Sequence, residues 1–357
     1  MRPPKEIFLL ILSASIGLSP ASAAARGGDE LPAVTVASVR RIFHNGEHNA
    51  FTDLVRFRDK FFLTFRSCPD GHMVNPTASI IILSSDDGKE WQQVHQFKVD
   101  LRDTRDPHFL IFKDRLFVYT GTWYSGTGAL PREEYDLNKH LGYAVWSDDG
   151  KAWADPAILE GTFGHYVWRA AQFGGKAYLC GRRYVGFEIG QRGEGKKVES
   201  LMLESDDGLI WRKRAIFQEI AGDETAFLFE QDGSVLAIGR RGSGPAQLLR
   251  SRPPYAQWER KDLDRYVGGP LLTKWDGRHL VGGRKSLKGG PKTSLCWLAD
   301  DQLHEFAELP SGGDNSYPGF VELSADRALV SYYSSHERDQ AGKTITAIYL
   351  AELVKSK

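Results

Sequence analysis

The chain has only three cysteines, Cys68, Cys180 and Cys296, in 357 residues. They are odd in number and far apart, so they form neither a disulfide framework nor a metal-binding spacing, and buried thiols remain the default reading. Neither charge is in surplus, with 46 basic residues against 46 acidic ones. Without a global field there is no general attraction to nucleic acid or to an anionic membrane, and any affinity for anions has to be local. No Cys-x-x-Cys pair, Gly-x-Gly-x-x-Gly or phosphate-loop pattern occurs, and no cofactor is expected. His44 and His48 have the spacing of a zinc helix, but Asn45-Gly46 between them favours a turn, and no metal is expected there. Sustained helical periodicity is missing after the first two dozen residues, and no later apolar run is long enough to cross a bilayer.

Those first residues have the order of a secretory signal peptide. Arg2 and Lys5 precede an apolar run from Ile7 to Leu18, and the small residues Ala21-Ser22-Ala23-Ala24 follow. Residues 1–24 are therefore expected to be a removed leader, and the rest a soluble chain sent to a periplasm or outside the cell, with no membrane insertion.

What the sequence has in plenty is glycine, 37 residues, and aromatics, 11%. Together they suit many short strands joined by tight turns. Six stretches read as an apolar run, a short polar turn and a second apolar run. They are Leu54 to Phe65, Phe109 to Tyr119, Ala170 to Gly181, the stretch Asp223 to Arg241 around Asp232-Gly233, Leu271 to Gly283 and Gly319 to Tyr333. Their turns recur about every 45–60 residues, the period of four-stranded propeller blades. The strand around Ala33 to Val39 stands alone upstream, placed to close the last unit and leave no open sheet edge.

A second repeat lies between the hairpins. Ser84-Ser85-Asp86-Asp87-Gly88-Lys89-Glu90-Trp91 fits Ser-x-Asp-x-Gly-x-x-Trp. Asp148 to Trp153 and Asp206 to Trp211 repeat its Asp, Gly and Trp, with Trp146 and Glu204 in the serine slot; Ser251 and Trp258 keep only the ends of a fourth copy. In such a turn the first Asp is expected to accept backbone N–H bonds, the Gly to take a positive φ, and the Trp to pack beneath. These stretches resemble Asp-box (BNR) turns, and with the six hairpins the chain resembles the sialidase (neuraminidase) superfamily. The resemblance implies an all-β, six-bladed β-propeller over residues 33–357. It says little about activity, because Asp boxes also occur in non-catalytic propellers.

Strand starts and returns should converge on one face of such a disc. Before the hairpins come His48 and Asp53, Arg105-Asp106-Pro107-His108, His165 with Trp168 and Arg169, Asp223-Glu224, and Asp314 to Tyr317. After them come Arg66 leading to Asp70 and His72, then Arg182-Arg183, Arg240-Arg241, Arg284 and Tyr333. Arginines outnumber acids in this set. Their planar forks suit a carboxylate or sulfate, so an anion-binding pocket is expected.

The resemblance sharpens this set. It implies that Glu224 and Arg240 stand in the places of the family's glutamate and one triad arginine, that Arg284 stands for a later one, and that Tyr317 is the nucleophile. A neutral phenol needs a carboxylate to take its proton, which would be Glu224. The family's first arginine, in an Arg-Ile-Pro stretch, is matched here by Ala50, and Arg66, Arg56 or Arg183 is the candidate to compensate. Asp70, His72 and Asp53 are the acid/base candidates, and His108 is a candidate contact to substrate. The expected activity is removal of a terminal anionic sugar, sialic acid or a related one, from glycans by a monomeric hydrolase. Two alternatives stay open: a polysaccharide lyase or uronate-directed glycosidase using the histidines, and a glycan-binding propeller without catalysis.

Overall fold

In the computed structural model the described residues are 30–186, 197–286 and 289–356. The expected leader, residues 1–24, lies outside them. The chain divides into Met1–Leu31 and Pro32–Lys357, and the second unit carries every strand among the described residues. In order these are β1 (Val34–Phe43); β2 (His48–Phe57), β3 (Lys60–Cys68), β4 (Ser79–Ser85) and β5 (Gln92–Phe97); and β6 (Arg102–Phe112), β7 (Arg115–Tyr124), β8 (Leu141–Ser147) and β9 (Ala157–Ile158). Then come β10 (Tyr166–Phe173), β11 (Lys176–Tyr184), β12 (Val198–Ser205) and β13 (Arg212–Gln218), followed by β14 (Thr225–Phe229), β15 (Val235–Arg241), β16 (Gly244–Ser251) and β17 (Trp258–Asp262). Last are β18 (Gly268–Trp275), β19 (Arg278–Lys285), β20 (Lys292–Ala299), β21 (Gln302–Leu309), β22 (Asn315–Ser324), β23 (Arg327–Arg338) and β24 (Thr344–Lys355).

The fold is an all-β propeller. Strands β6–β9, β10–β13, β14–β17 and β18–β21 form four separate four-stranded sheets. The remaining strands form one eight-stranded sheet rather than two separate ones. Its cause is a single parallel bridge, His48↔Thr346, which joins the antiparallel set β2–β5 to the set β22-β23-β24-β1. β1 runs antiparallel to β24, from Val34↔Lys355 to Phe43↔Ile348, in the place suggested for a closing strand.

The hairpins form because their turns are chemically specified. Lys113-Asp114 and Gly174-Gly175 have positive φ at both turn residues, as does Asp276-Gly277. Positive φ at both positions is the primed-turn geometry that matches strand twist. Inner strands do not alternate apolar with polar, because neighbouring sheets cover both faces. β4, Ser-Ile-Ile-Ile-Leu-Ser-Ser, is buried along its whole length. Each of its Ile and Leu side chains contributes about 1.5–3 kcal/mol by leaving water. The three cysteines are free and buried.

The Asp-Asp-Gly turns are built one residue later than their sequence pattern suggests. The acceptor is the second aspartate: Asp87 Oδ1 takes the N–H groups of Lys89 (2.7 Å) and Glu90 (3.1 Å). Asp149 and Asp207 do the same in their copies. The serine slot is filled in all three, by Ser85, Ser147 and Ser205, whose hydroxyls accept from Gly88, Gly150 and Gly208. Asp86 instead pairs with Lys60 at the surface.

Candidate functional site

Five innermost strands carry the same irregularity at their first residues. In β2 the pairing jumps from Ala50↔Arg66 to Asp53↔Thr64, so two residues of β2 face one of β3. β6 jumps between Arg105 and His108, β10 between Val167 and Ala170, β18 between Gly268 and Leu271, and β22 between Ser316 and Gly319. Such bulges re-aim a side chain. The residues inside them are Phe51, Asp106, Trp168, Gly269 and Tyr317, and Glu224 precedes the unbulged β14. Phe51, Asp106 and Tyr317 hold φ of 63°, 53° and 53°. Left-handed backbone costs about 1–3 kcal/mol per non-glycine residue, so these positions are held by their surroundings.

The bulges bring these side chains into one group. The Tyr317 hydroxyl donates to Glu224 Oε1 at 2.7 Å. The Phe51 and Trp168 rings meet the Tyr317 ring edge-on, at 5.0 and 5.3 Å between centroids. Arg240 Nη1 donates to Glu224 Oε2 at 3.0 Å, and the Gly269 N–H donates to the same oxygen at 2.9 Å. Gly269 is required there: a Cβ would lie 2.5 Å from the Tyr317 ring, and its φ is 57°. The Arg284 guanidinium lies over the Tyr317 ring, 5.5 Å from its centre.

Burial pushes the Tyr317 phenol well above its ordinary value, and Glu224 adds to this against the pull of Arg240 and Arg284. Burial also pushes Glu224 upward, but the Arg240 charge, the Tyr317 hydrogen bond and the Arg182 charge outweigh it and hold the carboxyl below its ordinary range. A neutral phenol therefore faces an ionised carboxylate, the starting state for proton transfer from one to the other. Asp106 behaves in the opposite way. Burial pushes it up to about 8, against the pull of Arg105 and with the repulsion of Glu224. It is 5% exposed, and its Oδ1 is buried with no hydrogen-bond partner. An uncharged acid beside this group can act as a proton donor near neutral pH.

Beside this group lies a hub around Asp314. Its Oδ2 meets His48 Nε2 at 3.0 Å and His72 Nδ1 at 2.8 Å. Its Oδ1 accepts from Arg284 Nη2 (2.9 Å) and the Tyr333 hydroxyl (2.8 Å). Burial raises the Asp314 carboxyl, but these imidazoles and the Arg284 charge drive it far below the usual range.

Several expected residues are placed elsewhere or are already engaged. Arg66 is fully buried; its Nε and Nη2 reach Asp103 at 2.9 and 2.8 Å, and its remaining bonds go to the Gly71 and Met73 carbonyls. That leaves it no face for an anion, so it does not compensate for Ala50. Asp53 is a structural tie. It joins Arg169 (3.0 Å) and the N–H groups of Leu54 and Phe109, while Arg169 reaches across to the Pro270 and Pro318 carbonyls. His108 is 1% exposed, lies 3.5 Å from Asp53 and packs on Trp168, and burial lowers it to about 4. It cannot touch substrate. Asp70 is exposed on its loop and accepts from Thr77 Oγ1, whereas His72 of the same loop reaches Asp314. Arg183 pairs with Glu199 at 2.7 Å, and it is Arg182 that binds Asp223. Glu224, Arg240, Arg284 and Tyr317 come together.

The converging arginines are also already paired with acids. Arg240 has Glu224 and Asp223, Arg284 has Asp314, Arg182 has Asp223, Arg105 and Arg66 share Asp103, and Arg169 has Asp53. Asp106 and Asp314 were visible among the converging residues, but nothing in the sequence assigned them a part. A positive φ and the loss of any partner are properties of the folded backbone. A cavity of about 310 Å³ adjoins the group, lined by Arg182, Tyr184, Asp223 and Gly242. A larger one of about 1150 Å³, lined by Glu230, Trp258, His279 and Asp301, lies at the turn end of the β14–β21 sheets, away from this chemistry.

Solved structures resemble this fold. A protein of unknown function from Dyadobacter fermentans DSM 18053 matches with a TM-score of 0.74 and 21% identity, over 91% of this chain and all of that one. Trypanosoma rangeli sialidase, solved with 2,3-difluorosialic acid as a covalent intermediate, matches with a TM-score of 0.65 and 11% identity over 86% of this chain. This chain spans only 54% of the length of that sialidase. The phage phi92 endosialidase matches with a TM-score of 0.63 and 9% identity, covering 90% of this chain and 69% of that one. At these identities the likeness is one of fold. No protein-family model and no curated protein sequence matches the chain.

Proposed function

We propose that this chain is an exported, monomeric glycoside hydrolase of the sialidase type, a six-bladed propeller with Asp-box turns that removes a terminal acidic sugar from glycans. In this reading the eight-stranded sheet counts as two blades. The observation that carries the proposal is the 2.7 Å hydrogen bond from the Tyr317 hydroxyl to Glu224, with Arg240 on the far oxygen.

Tyr317 Oη attacks the anomeric carbon as Glu224 accepts its proton. The glycosidic C–O bond breaks, and the leaving oxygen takes a proton from the buried Asp106 carboxyl. Water then attacks the anomeric carbon and gives its proton to the Asp106 carboxylate, the tyrosyl–sugar C–O bond breaks, and Glu224 returns the proton to the phenol. A tyrosine suits an anomeric centre that bears a carboxylate, because a carboxylate nucleophile would be repelled there. Arg240 and Arg284 face that group, and the aglycone extends into the cavity beside Arg182 and Tyr184.

The test is hydrolysis of aryl glycosides of acidic sugars by wild type, Tyr317→Phe and Glu224→Gln. The proposal expects kcat to fall by at least about a hundredfold in each variant. Equal turnover by wild type and Tyr317→Phe would remove it.

One observation favours a second reading. His48 and His72 share a carboxylate with an arginine and a tyrosine, a set suited to abstracting the C5 proton of a uronic acid while arginine neutralises its carboxylate. That reading predicts an unsaturated, ultraviolet-absorbing product, with His72 variants hit hardest.

A further inference from the structure

We infer that His48, His72 and Asp314 bind one divalent metal ion of the zinc type, placed to hold a substrate carboxylate where the chain has Ala50 instead of an arginine. Only the part about what the ion holds rests on the hydrolase reading; the binding of the ion does not.

The donor atoms are already gathered. One imidazole nitrogen from each histidine and one Asp314 oxygen all lie within 4.8 Å of one another. They come from three separate places in the chain: the first residue of β2, the loop after β3, and the residue before β22. Both imidazoles converge on the same carboxylate oxygen, at 3.0 and 2.8 Å. In a tetrahedral site with metal–ligand bonds of about 2.0–2.1 Å, donors stand about 3.3 Å apart. The two imidazole–carboxylate separations need to open by only a few tenths of an ångström, while the imidazole nitrogens, which lie within 4.8 Å of each other, draw together around the ion. His72 can supply that movement, since its side chain is 46% exposed and its loop faces solvent.

The surroundings fit such an ion. Arg284 and Tyr333 grip Asp314 by its other oxygen, which fixes the carboxylate from behind as second partners do for metal ligands. Arg284 is separated from the ion by that carboxylate, and the charge of nearby Arg66 is neutralised by Asp103. Two imidazoles and one carboxylate favour zinc, cobalt or nickel over magnesium or calcium. Three protein ligands leave a coordination position open, the pattern of sites that bind substrate rather than close a fold.

The open position has a use. His48 and Ala50 lie two residues apart on β2, and alternate residues of a strand share a face. The His72 ring is 5.8 Å from the Phe51 ring, which in turn meets Tyr317. An ion here supplies the third positive charge beside Arg240 and Arg284 that Ala50 does not.

The test uses the full chain, stripped with a chelator and titrated with zinc chloride by calorimetry and with cobalt chloride by visible absorption, near neutral pH. One ion per chain is expected, bound at least about tenfold more weakly by His72→Ala and by Asp314→Asn. His72 is exposed, so its variant should melt with the wild type and keep the comparison clean. No heat and no cobalt band in the wild type, or equal binding by both variants, overturns the inference. Turnover that persists in chelator with no metal bound removes the ion's part in holding the substrate carboxylate while leaving the tyrosine mechanism standing. One ion bound per chain, with no turnover of any acidic glycoside, keeps the ion and removes the hydrolase reading.

Discussion

Replacing Asp106 with asparagine should make the protein increasingly more stable relative to wild type as the pH rises. The carboxyl is buried, its Oδ1 has no hydrogen-bond partner, and it stays protonated up to about 8 instead of 3.8. Below about pH 4 it is protonated in both folded and unfolded chains, and the substitution changes no proton balance. Between about pH 4 and 8 the unfolded chain releases this proton while the folded one keeps it. Wild-type stability therefore falls through that window relative to the asparagine variant, by about 1.4 kcal/mol per pH unit. Over the gap from 3.8 to about 8 the full effect reaches about 5–6 kcal/mol. Asparagine's own amide needs partners, which subtracts a constant of about 1–3 kcal/mol at every pH. The diagnostic quantity is thus the slope and not the offset. Urea unfolding of both proteins at several pH values from 4.5 to about 8 measures it. Parallel stability curves would refute the reasoning, because they would mean that Asp106 ionises in the folded state as it does in water.

Further outcomes follow from the same contacts. Arg66→Met should destabilise the fold by about 1.5–3 kcal/mol, because it removes two charge-assisted bonds from Asp103, which keeps Arg105 and the Asn75 N–H; thermal melting checks this, and a change in KM alone would contradict it. Gly269→Ala should cut kcat severely, since its Cβ meets the Tyr317 ring at 2.5 Å; unchanged turnover would show that the ring is free to move. Asp87→Ala should destabilise the protein measurably by releasing two backbone N–H groups, and more than Asp86→Ala, which loses only one surface ion pair. Chemical denaturation of the two variants compares them directly.

The hairpins were legible because turn chemistry is local. Gly174-Gly175 and Asp276-Gly277 state their geometry in two residues, and the apolar runs beside them leave little choice of partner. Glu224, Arg240, Arg284 and Tyr317 were legible through their order along the chain, although Tyr317 and Glu224 stand 93 residues apart. The Asp-Asp-Gly turns were misread by one residue because an Asp doublet gives both aspartates equal standing in one dimension. Only the hydrogen bonds of Asp87 break that tie. Arg66 was misassigned because its partner, Asp103, lies 37 residues away on another sheet, and nothing at Arg66 itself signals burial. Asp53 and His108 failed for the same reason: their mutual contact and the reach of Arg169 across to β18 and β22 are set by closure of the ring. Asp106 stood among the converging residues without a part, since a bulge has no sequence signature of its own.

The central claim is that Tyr317 forms the bond to the sugar, and the most direct measurement is mass spectrometry of the chain after reaction with activated fluorosugars that carry a carboxylate, which slow release of a covalent intermediate. The account predicts one sugar adduct per chain, mapped to the peptide containing Tyr317 and absent from Tyr317→Phe. Turnover of the matching substrate with no adduct, or with the adduct on another residue, would contradict it.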